Sequence, residues 1–182
     1  RSGMLPPKLA QVMINLALPP LIKGGGGDLY SYIKILDPFC GSGTILTEAM
    51  LMGYKNLIGA DISKRAIEDT KKNVVWIKEK FQISNFKFQI FNTGADQISK
   101  TIKPNSVDTI VTEPYLGPQR GKHDIQKTIK ELENLYSKAL LEFYKILKPG
   151  SRVVMVWPVF INAPFNKGGQ GWNLTQNLNG LK

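Results

Sequence analysis

The run Asp37-Pro38-Phe39-Cys40-Gly41-Ser42-Gly43-Thr44 brings together residue types able to hold a ligand. Apolar residues 33–36 lead into a carboxylate, two glycines turn the chain, and a helical pattern opens at Thr44. Glycines allow a sharp turn and let the backbone approach a ligand with no side chain between them. The helix that follows offers unpaired N–H groups to whatever occupies the loop. A nucleoside-containing cofactor is the natural guest. The dinucleotide fingerprint requires a third glycine where Leu46 stands. The phosphate-cradling loop ends in Gly-Lys-Ser/Thr, and Ser42-Gly43-Thr44 has no lysine. Asp37 would repel a phosphate and attract a cationic amino group. Asp61 follows 20 residues after Gly41, in Gly59-Ala60-Asp61-Ile62, where a carboxylate can accept both ribose hydroxyls. Asp61 as the N-cap of the next helix is the alternative. A third group, Thr112-Glu113-Pro114-Tyr115, ends another apolar run.

A particular architecture must hold these groups. Residues 8–17 after Pro6-Pro7 read as a helix with proline in its first turn, stopped by Pro19-Pro20. Residues 23–28 include four consecutive glycines and read as a flexible link. Strand patterns at 33–36, 56–60, 86–91, 107–111 and 152–157 then alternate with helical patterns at 44–52, 64–80, 97–102 and 125–147. Such alternation predicts an α/β fold, a mainly parallel sheet with helices on both faces. Ligands of such sheets bind beyond the carboxyl ends of the strands. Asp37, Asp61 and Thr112 all fall there. The 182 residues predict one domain: residues 1–28 as N-terminal helix and link, 29–157 as core, 158–182 as a weakly structured tail.

Lys and Arg number 24 against 14 acids, a net charge of +10, which favours a polyanionic partner, nucleic acid before membrane. No run of about 18 apolar residues is present to span a bilayer. Cys40 is the only cysteine, so no internal disulfide forms and a cytoplasmic setting is expected. We read it as a small residue packed under the loop. No metal site is expected, and His123 reads as a surface residue. Lys64, Arg65, Lys71, Lys72, Lys78 and Lys80 read as a solvated helix face, whereas Arg120, Lys122, Lys127 and Lys130 follow Tyr115 and suit phosphates.

The octet at 37–44 resembles motif I of class I S-adenosylmethionine (SAM)-dependent methyltransferases, particularly those that methylate exocyclic amines. The resemblance implies a Rossmann-like fold and SAM as cofactor. It places Asp37, Pro38, Phe39, Cys40, Gly41, Gly43 and Thr44 around the cofactor, with Asp61 on the ribose and Ile62 on the adenine. The family usually has Asp-Ala after the third strand; here Gly94 takes the acid's place before Ala95, so Asp96 or a backbone N–H near Ala95 is expected at the adenine. Gly3-Met4-Leu5-Pro6-Pro7 resembles the segment lining the methionine end, which adds Leu5 and Pro6. The family carries Asp/Asn/Ser-Pro-Pro-aromatic where Thr112, Glu113, Pro114 and Tyr115 stand. A side-chain oxygen and a backbone carbonyl there accept the amine's hydrogens and aim its lone pair at the methyl group. The aromatic ring stacks on the base. An ordinary strand-end turn with an exposed Glu113 is the alternative.

The wider resemblance is to THUMP-associated RNA methyltransferases, which modify guanine-N2. It rests on Met4 to Ala10, the octet with Ile45-Leu46-Thr47-Glu48-Ala49, and Asn73-Val74-Val75-Trp76. It implies methyl transfer to an exocyclic amine of RNA, with tRNA the expected partner. No THUMP domain is legible, so an accessory RNA-binding domain is expected elsewhere, or a different mode of recognition. Trp76 is expected in the core. The usual C-terminal hairpin is not legible after residue 157, and the sheet edge is expected to be incomplete or completed differently. DNA amino-methylation, and a SAM- or nucleic-acid-binding module with weak catalysis, stay open as alternatives.

Overall fold

The computed structural model describes residues 5–18, 31–118 and 124–159. Five parallel strands form the sheet: β1 (Lys34–Asp37), β2 (Asn56–Asp61), β3 (Lys87–Asn92), β4 (Val107–Thr112) and β5 (Leu147–Met155). Their spatial order is β3-β2-β1-β4-β5, which reverses direction at β1. The helices are α1 (Pro7–Ala17), α2 (Thr44–Leu51), α3 (Lys64–Lys80) and α4 (Ile125–Ile146), with a 3-10 helix at Ala95–Lys100.

Alternate residues of the central strands feed two cores, because successive side chains point to opposite faces. Ile35 and Leu57 pack with α1, α2 and α3, while Leu36, Ile58 and Ile110 pack with α4 and the 3-10 helix. This two-sided burial is why the strands read as nearly continuous apolar runs. The result is the expected Rossmann-like fold.

Pro6 sits at the N-cap of α1, where a missing N–H costs nothing. The other end of α1 is held by side chains of the sheet. Arg152 donates to the carbonyls of Leu18 (3.0 Å) and Leu16 (3.4 Å), while the Thr109 hydroxyl donates to the Arg152 carbonyl (2.9 Å) and lies 3.4 Å from that of Ala17. These bonds satisfy carbonyls that a helix end leaves open. Glu142 of α4 accepts from the amide of Ser99 (3.0 Å) and from its hydroxyl (2.5 Å), tying α4 to the 3-10 helix.

Two sequence expectations need correction. β5 begins at Leu147, which already pairs with Val107, rather than at residue 152. Regular pairing resumes at Thr109 with Arg152 after an irregularity that contains Pro149, which has no N–H to donate, and Gly150 at φ +78°. The strand ends at Met155, and Trp157 instead packs on Tyr136, ring centroids 4.7 Å apart. Trp76 is not in the core. The buried face of α3 runs through Ile67, Thr70, Val74 and Ile77, and Trp76 lies off that stripe, 55 % exposed, with Lys80 Nζ 4.3 Å from its ring centroid.

The expected Pro19-Pro20 stop and glycine link, Gly3 and Met4, Arg120, Lys122 and His123 lie outside the described residues. So does the tail from residue 160 and any hairpin there. Among the described residues no helix is long and apolar enough to cross a membrane, and no cluster of three or more metal-ligating side chains occurs.

Candidate active site

The strand order reverses beside β1, and the carboxyl ends of β1, β2 and β4 open there into one cavity of about 960 Å³. β1 delivers Asp37, only 2 % exposed. Its Oδ1 accepts the Thr112 hydroxyl (2.7 Å) and the Phe39 amide (3.2 Å). Burial pushes this carboxyl up to about 7, against the lowering effect of those two hydrogen bonds, and the charges of Asp61 and Glu113 raise it further.

The loop after Asp37 is tied down on two sides. Asp61 Oδ2 accepts the Gly41 amide (2.9 Å), and the Ala60 carbonyl accepts that of Cys40 (2.9 Å). From α3, the Thr70 hydroxyl donates to the Gly41 carbonyl (2.8 Å) and Asn73 Nδ2 to that of Ser42 (2.8 Å). Gly43 is at φ +87°, and a Cβ there would stand 2.9 Å from Thr70 Cγ2, so glycine is required on both counts. Cys40 is buried beneath the loop. Burial, then the nearby Asp37 charge, push its thiol up to about 12, against the lowering effect of a hydrogen bond with Thr70.

Asp61 is not the N-cap of α3; Ser63 is, its hydroxyl accepting from Ala66 (3.3 Å). The second Asp61 oxygen accepts the Ser63 amide (2.8 Å) in a local turn, and each carboxylate oxygen keeps a further acceptor site. Ile62 beside it is 79 % exposed on the cavity wall, a flat apolar surface without a covering group of its own. Asn92 fixes this corner by donating to the carbonyls of Asp61 and Ile62, both at 2.9 Å. At the start of the 3-10 helix, a Cβ on Gly94 would lie 2.5 Å from Asp96 Oδ1. The Asp96 carboxylate therefore fills the space that a side chain at residue 94 would take.

On the far side stand Glu113, Pro114 and Tyr115. Burial raises the Glu113 carboxyl above the usual range, opposed by a hydrogen bond from the Leu5 amide. Tyr136, buried in α4, donates to the Tyr115 carbonyl (2.6 Å) and so sets the path of this segment. Leu116, Pro118 and Leu135 extend an apolar wall beyond it.

All but three of the sequence-predicted residues line the cavity. Pro6 belongs to the start of α1, Gly43 packs on Thr70, and Thr112 is fully buried behind Asp37. Sequence reasoning missed Asp69 and the wall of Leu116, Pro118 and Leu135, along with the positioning residues Thr70, Asn92 and Tyr136. None of these carries a local signal, since each reaches the site only through helix or sheet packing.

The charges decide what the cavity accepts. Asp37, Asp61, Asp69, Asp96 and Glu113 line it, and no Lys, Arg or His does so among the described residues. In a chain of net charge +10, that is a cavity built against phosphates and for a cationic guest. S-adenosylmethionine fits this donor set: an ammonium for Asp37, ribose hydroxyls for Asp61, and a purine for Ile62 and Asp96.

Comparison with known proteins agrees with this fold. The chain belongs to the methyltransferase-domain family, whose pattern matches residues 30–176. It is 32 % identical over 160 residues to a tRNA (guanine(10)-N2)-dimethyltransferase of Methanothermobacter thermautotrophicus, covering 88 % of this chain and 40 % of that protein. A "Probable tRNA (guanine(10)-N2)-dimethyltransferase" of Methanothermococcus thermolithotrophicus is 31 % identical over 135 residues, 72 % of this chain and 74 % of that one. TrmN from Thermus thermophilus shares the fold, with TM-score 0.60 at 24 % identity over 86 % of this chain and 39 % of that chain. The chain thus spans about two fifths of the length of the Methanothermobacter relative.

Proposed function

We propose that this chain is a SAM-dependent N-methyltransferase acting on an exocyclic amine of RNA, guanine-N2 of tRNA being the assigned target. The observation that carries the reading is the cavity at the sheet's switch point, whose charged lining among the described residues is wholly acidic, inside a basic protein. When bound, S-adenosylmethionine supplies an electrophilic methyl group on a sulfonium sulfur. Asp37 would hold its ammonium, Asp61 its ribose, and Ile62, Ala95 and Asp96 its adenine, with Leu5 near the methionine end and residues 38–44 curving round it. Glu113, Pro114 and Tyr115 frame the acceptor, the half-exposed Tyr115 ring offering a stacking face to the target base. The apolar wall of Leu116, Pro118 and Leu135 suits a flat, desolvated base. The relatives' names support the choice of guanine-N2 and tRNA.

We treat residues 1–182 as one methyltransferase domain that works in the cytoplasm, with RNA delivered by an accessory domain outside these residues. Exposed Lys127 and Lys130 on α4, the first 3.9 Å from Glu131, would meet phosphates of the RNA.

Incubation with radiolabelled SAM and either unmodified tRNA or duplex DNA tests the reading. Label on tRNA is expected. Label on DNA alone overturns the RNA assignment, and binding of SAM without transfer to any nucleic acid reduces the chain to a binding module.

The adenine end has its own test. Gly94→Ala puts a methyl group 2.5 Å from Asp96 Oδ1 and must drive that carboxylate aside. We expect the affinity for S-adenosylhomocysteine (SAH), measured by calorimetry, to fall about tenfold, the cost of a hydrogen bond to a charged group. Unchanged affinity would remove Asp96 from the adenine site.

A further inference from the structure

We infer that the outer face of α3 is a binding site for single-stranded RNA, where the Trp76 ring stacks on an unpaired base and Lys72 and Lys80 hold phosphates on either side of it. The site lies outside the cavity. It rests on the reading of RNA as the substrate and adds a second contact to it.

Residues four apart on a helix stand one above the other on the same face. Lys72, Trp76 and Lys80 have that spacing, and all three are exposed. Lys80 Nζ lies 4.3 Å from the Trp76 ring centroid and 5.8 Å from that of Phe81, which is itself half exposed. One ammonium is thus gathered over two accessible rings. Neither Lys72 nor Lys80 belongs to an ion pair among the described residues, so both charges are free for an outside anion. Acids on the helix do not cancel them: α3 carries six Lys or Arg against three Asp or Glu, and Asp69 faces Arg65 at 3.9 Å.

This combination selects the partner. The core of a protein interface is depleted of lysine. A duplex keeps its base faces stacked inside, out of reach of an indole on a helix surface. A single strand offers a free base face for the ring and phosphates for the ammoniums.

α3 also ties this patch to the cavity. Asp69, about 10 Å from Trp76 along the helix axis, lines the cavity wall. Asn73, three residues before Trp76, donates to the Ser42 carbonyl of the glycine loop (2.8 Å). The charged lining of the cavity is acidic among the described residues, so it admits a base and repels the phosphates that come with it. The RNA backbone must therefore be held outside the mouth, and Lys72 and Lys80 are placed to hold it.

The test uses the whole chain and a fluorescently labelled single-stranded RNA, alone and annealed to its complement, with affinity read by anisotropy. Trp76→Ala should weaken the single strand about tenfold, the loss of one stacked base, and leave the duplex nearly unchanged. Trp76→Phe should recover most of the loss. The double variant Lys72→Gln/Lys80→Gln should lower the slope of log affinity against log salt by about 1.4, for two lost phosphate contacts. SAH affinity, measured by calorimetry, should stay within about twofold in every variant, because the patch is separate from the cofactor residues. With unmodified tRNA, Trp76→Ala should lower kcat/KM and leave kcat unchanged. A Trp76→Ala protein that binds the single strand as the wild type does overturns the inference and leaves the ring to a protein partner. Equal losses on single strand and duplex overturn the stacking. Either result is compatible with tRNA methylation by the wild type. Wild-type protein that neither binds nor methylates RNA overturns the RNA reading, and this site with it.

Discussion

Asp37→Asn is expected to bind SAH about 100-fold more weakly than the wild-type protein and, without ligand, to resist urea better at pH 8. Both effects come from one buried carboxyl. A carboxyl raised from 3.8 to about 7 favours its neutral form in the fold. Between those values the folded protein holds a proton that the unfolded chain has released. The stability it contributes is therefore complete below pH about 4, falls as pH rises towards 7, and is absent above. A shift of some three pH units corresponds to about 4 kcal/mol at most. Asparagine carries no charge to desolvate, and its amide oxygen can keep the bonds from Thr112 and Phe39. At pH 8 the variant should thus be about 2–4 kcal/mol more stable than wild type, a margin that closes near pH 4. Ligand reverses the order, because an ammonium compensates the carboxylate and an amide cannot replace that charge pair. For wild-type protein SAH affinity should climb as pH rises through about 7. Urea titrations at pH 4 and 8 with and without SAH read both effects, and a variant that binds SAH normally removes Asp37 from the ammonium site.

Gly43→Ala should destabilise the fold by roughly 2–4 kcal/mol, the sum of a left-handed dihedral and an overpacked contact. Its φ of +87° strains any residue with a Cβ, and that Cβ meets Thr70 Cγ2 at 2.9 Å and Oγ1 at 3.1 Å. Thr70 cannot simply turn away, because its hydroxyl holds the Gly41 carbonyl. Adding Thr70→Ser deletes the clashing methyl group and keeps the hydroxyl, so it should recover the methyl's share of the contact loss and none of the dihedral part. Gly41→Ala is the control. That position also has positive φ, at +53°, but a Cβ there meets nothing within 4 Å. It should cost only about 1–2 kcal/mol. Equal losses at the two glycines would mean that the Thr70 contact is unimportant.

The glycine loop was legible in the sequence because its requirements are local: an acid at a strand end, two glycines, a helix start. The fold was legible for the same reason, since alternating periodicities specify a parallel sheet without knowledge of any distant contact. Thr112 shows where such reading stops. Its bond to Asp37 joins residues 75 apart and exists only because β1 and β4 are neighbours. Asp96 shows the same limit on a smaller scale: the sequence offered a misplaced acid, and only the conformation of the 3-10 helix returns its carboxylate to the space beside Gly94. Trp76 misled because a large aromatic usually finds a core, whereas the phase of α3 turns it outward to Lys80. The five acids of the cavity come from separate segments, so their convergence against the basic surface emerges only in three dimensions.

The most direct test of the account is to digest tRNA after reaction with methyl-deuterated SAM and identify the labelled nucleoside by mass spectrometry. The account predicts deuterated methyl on the exocyclic N2 of guanosine. Label on a ring nitrogen, a carbon or a ribose oxygen would contradict it.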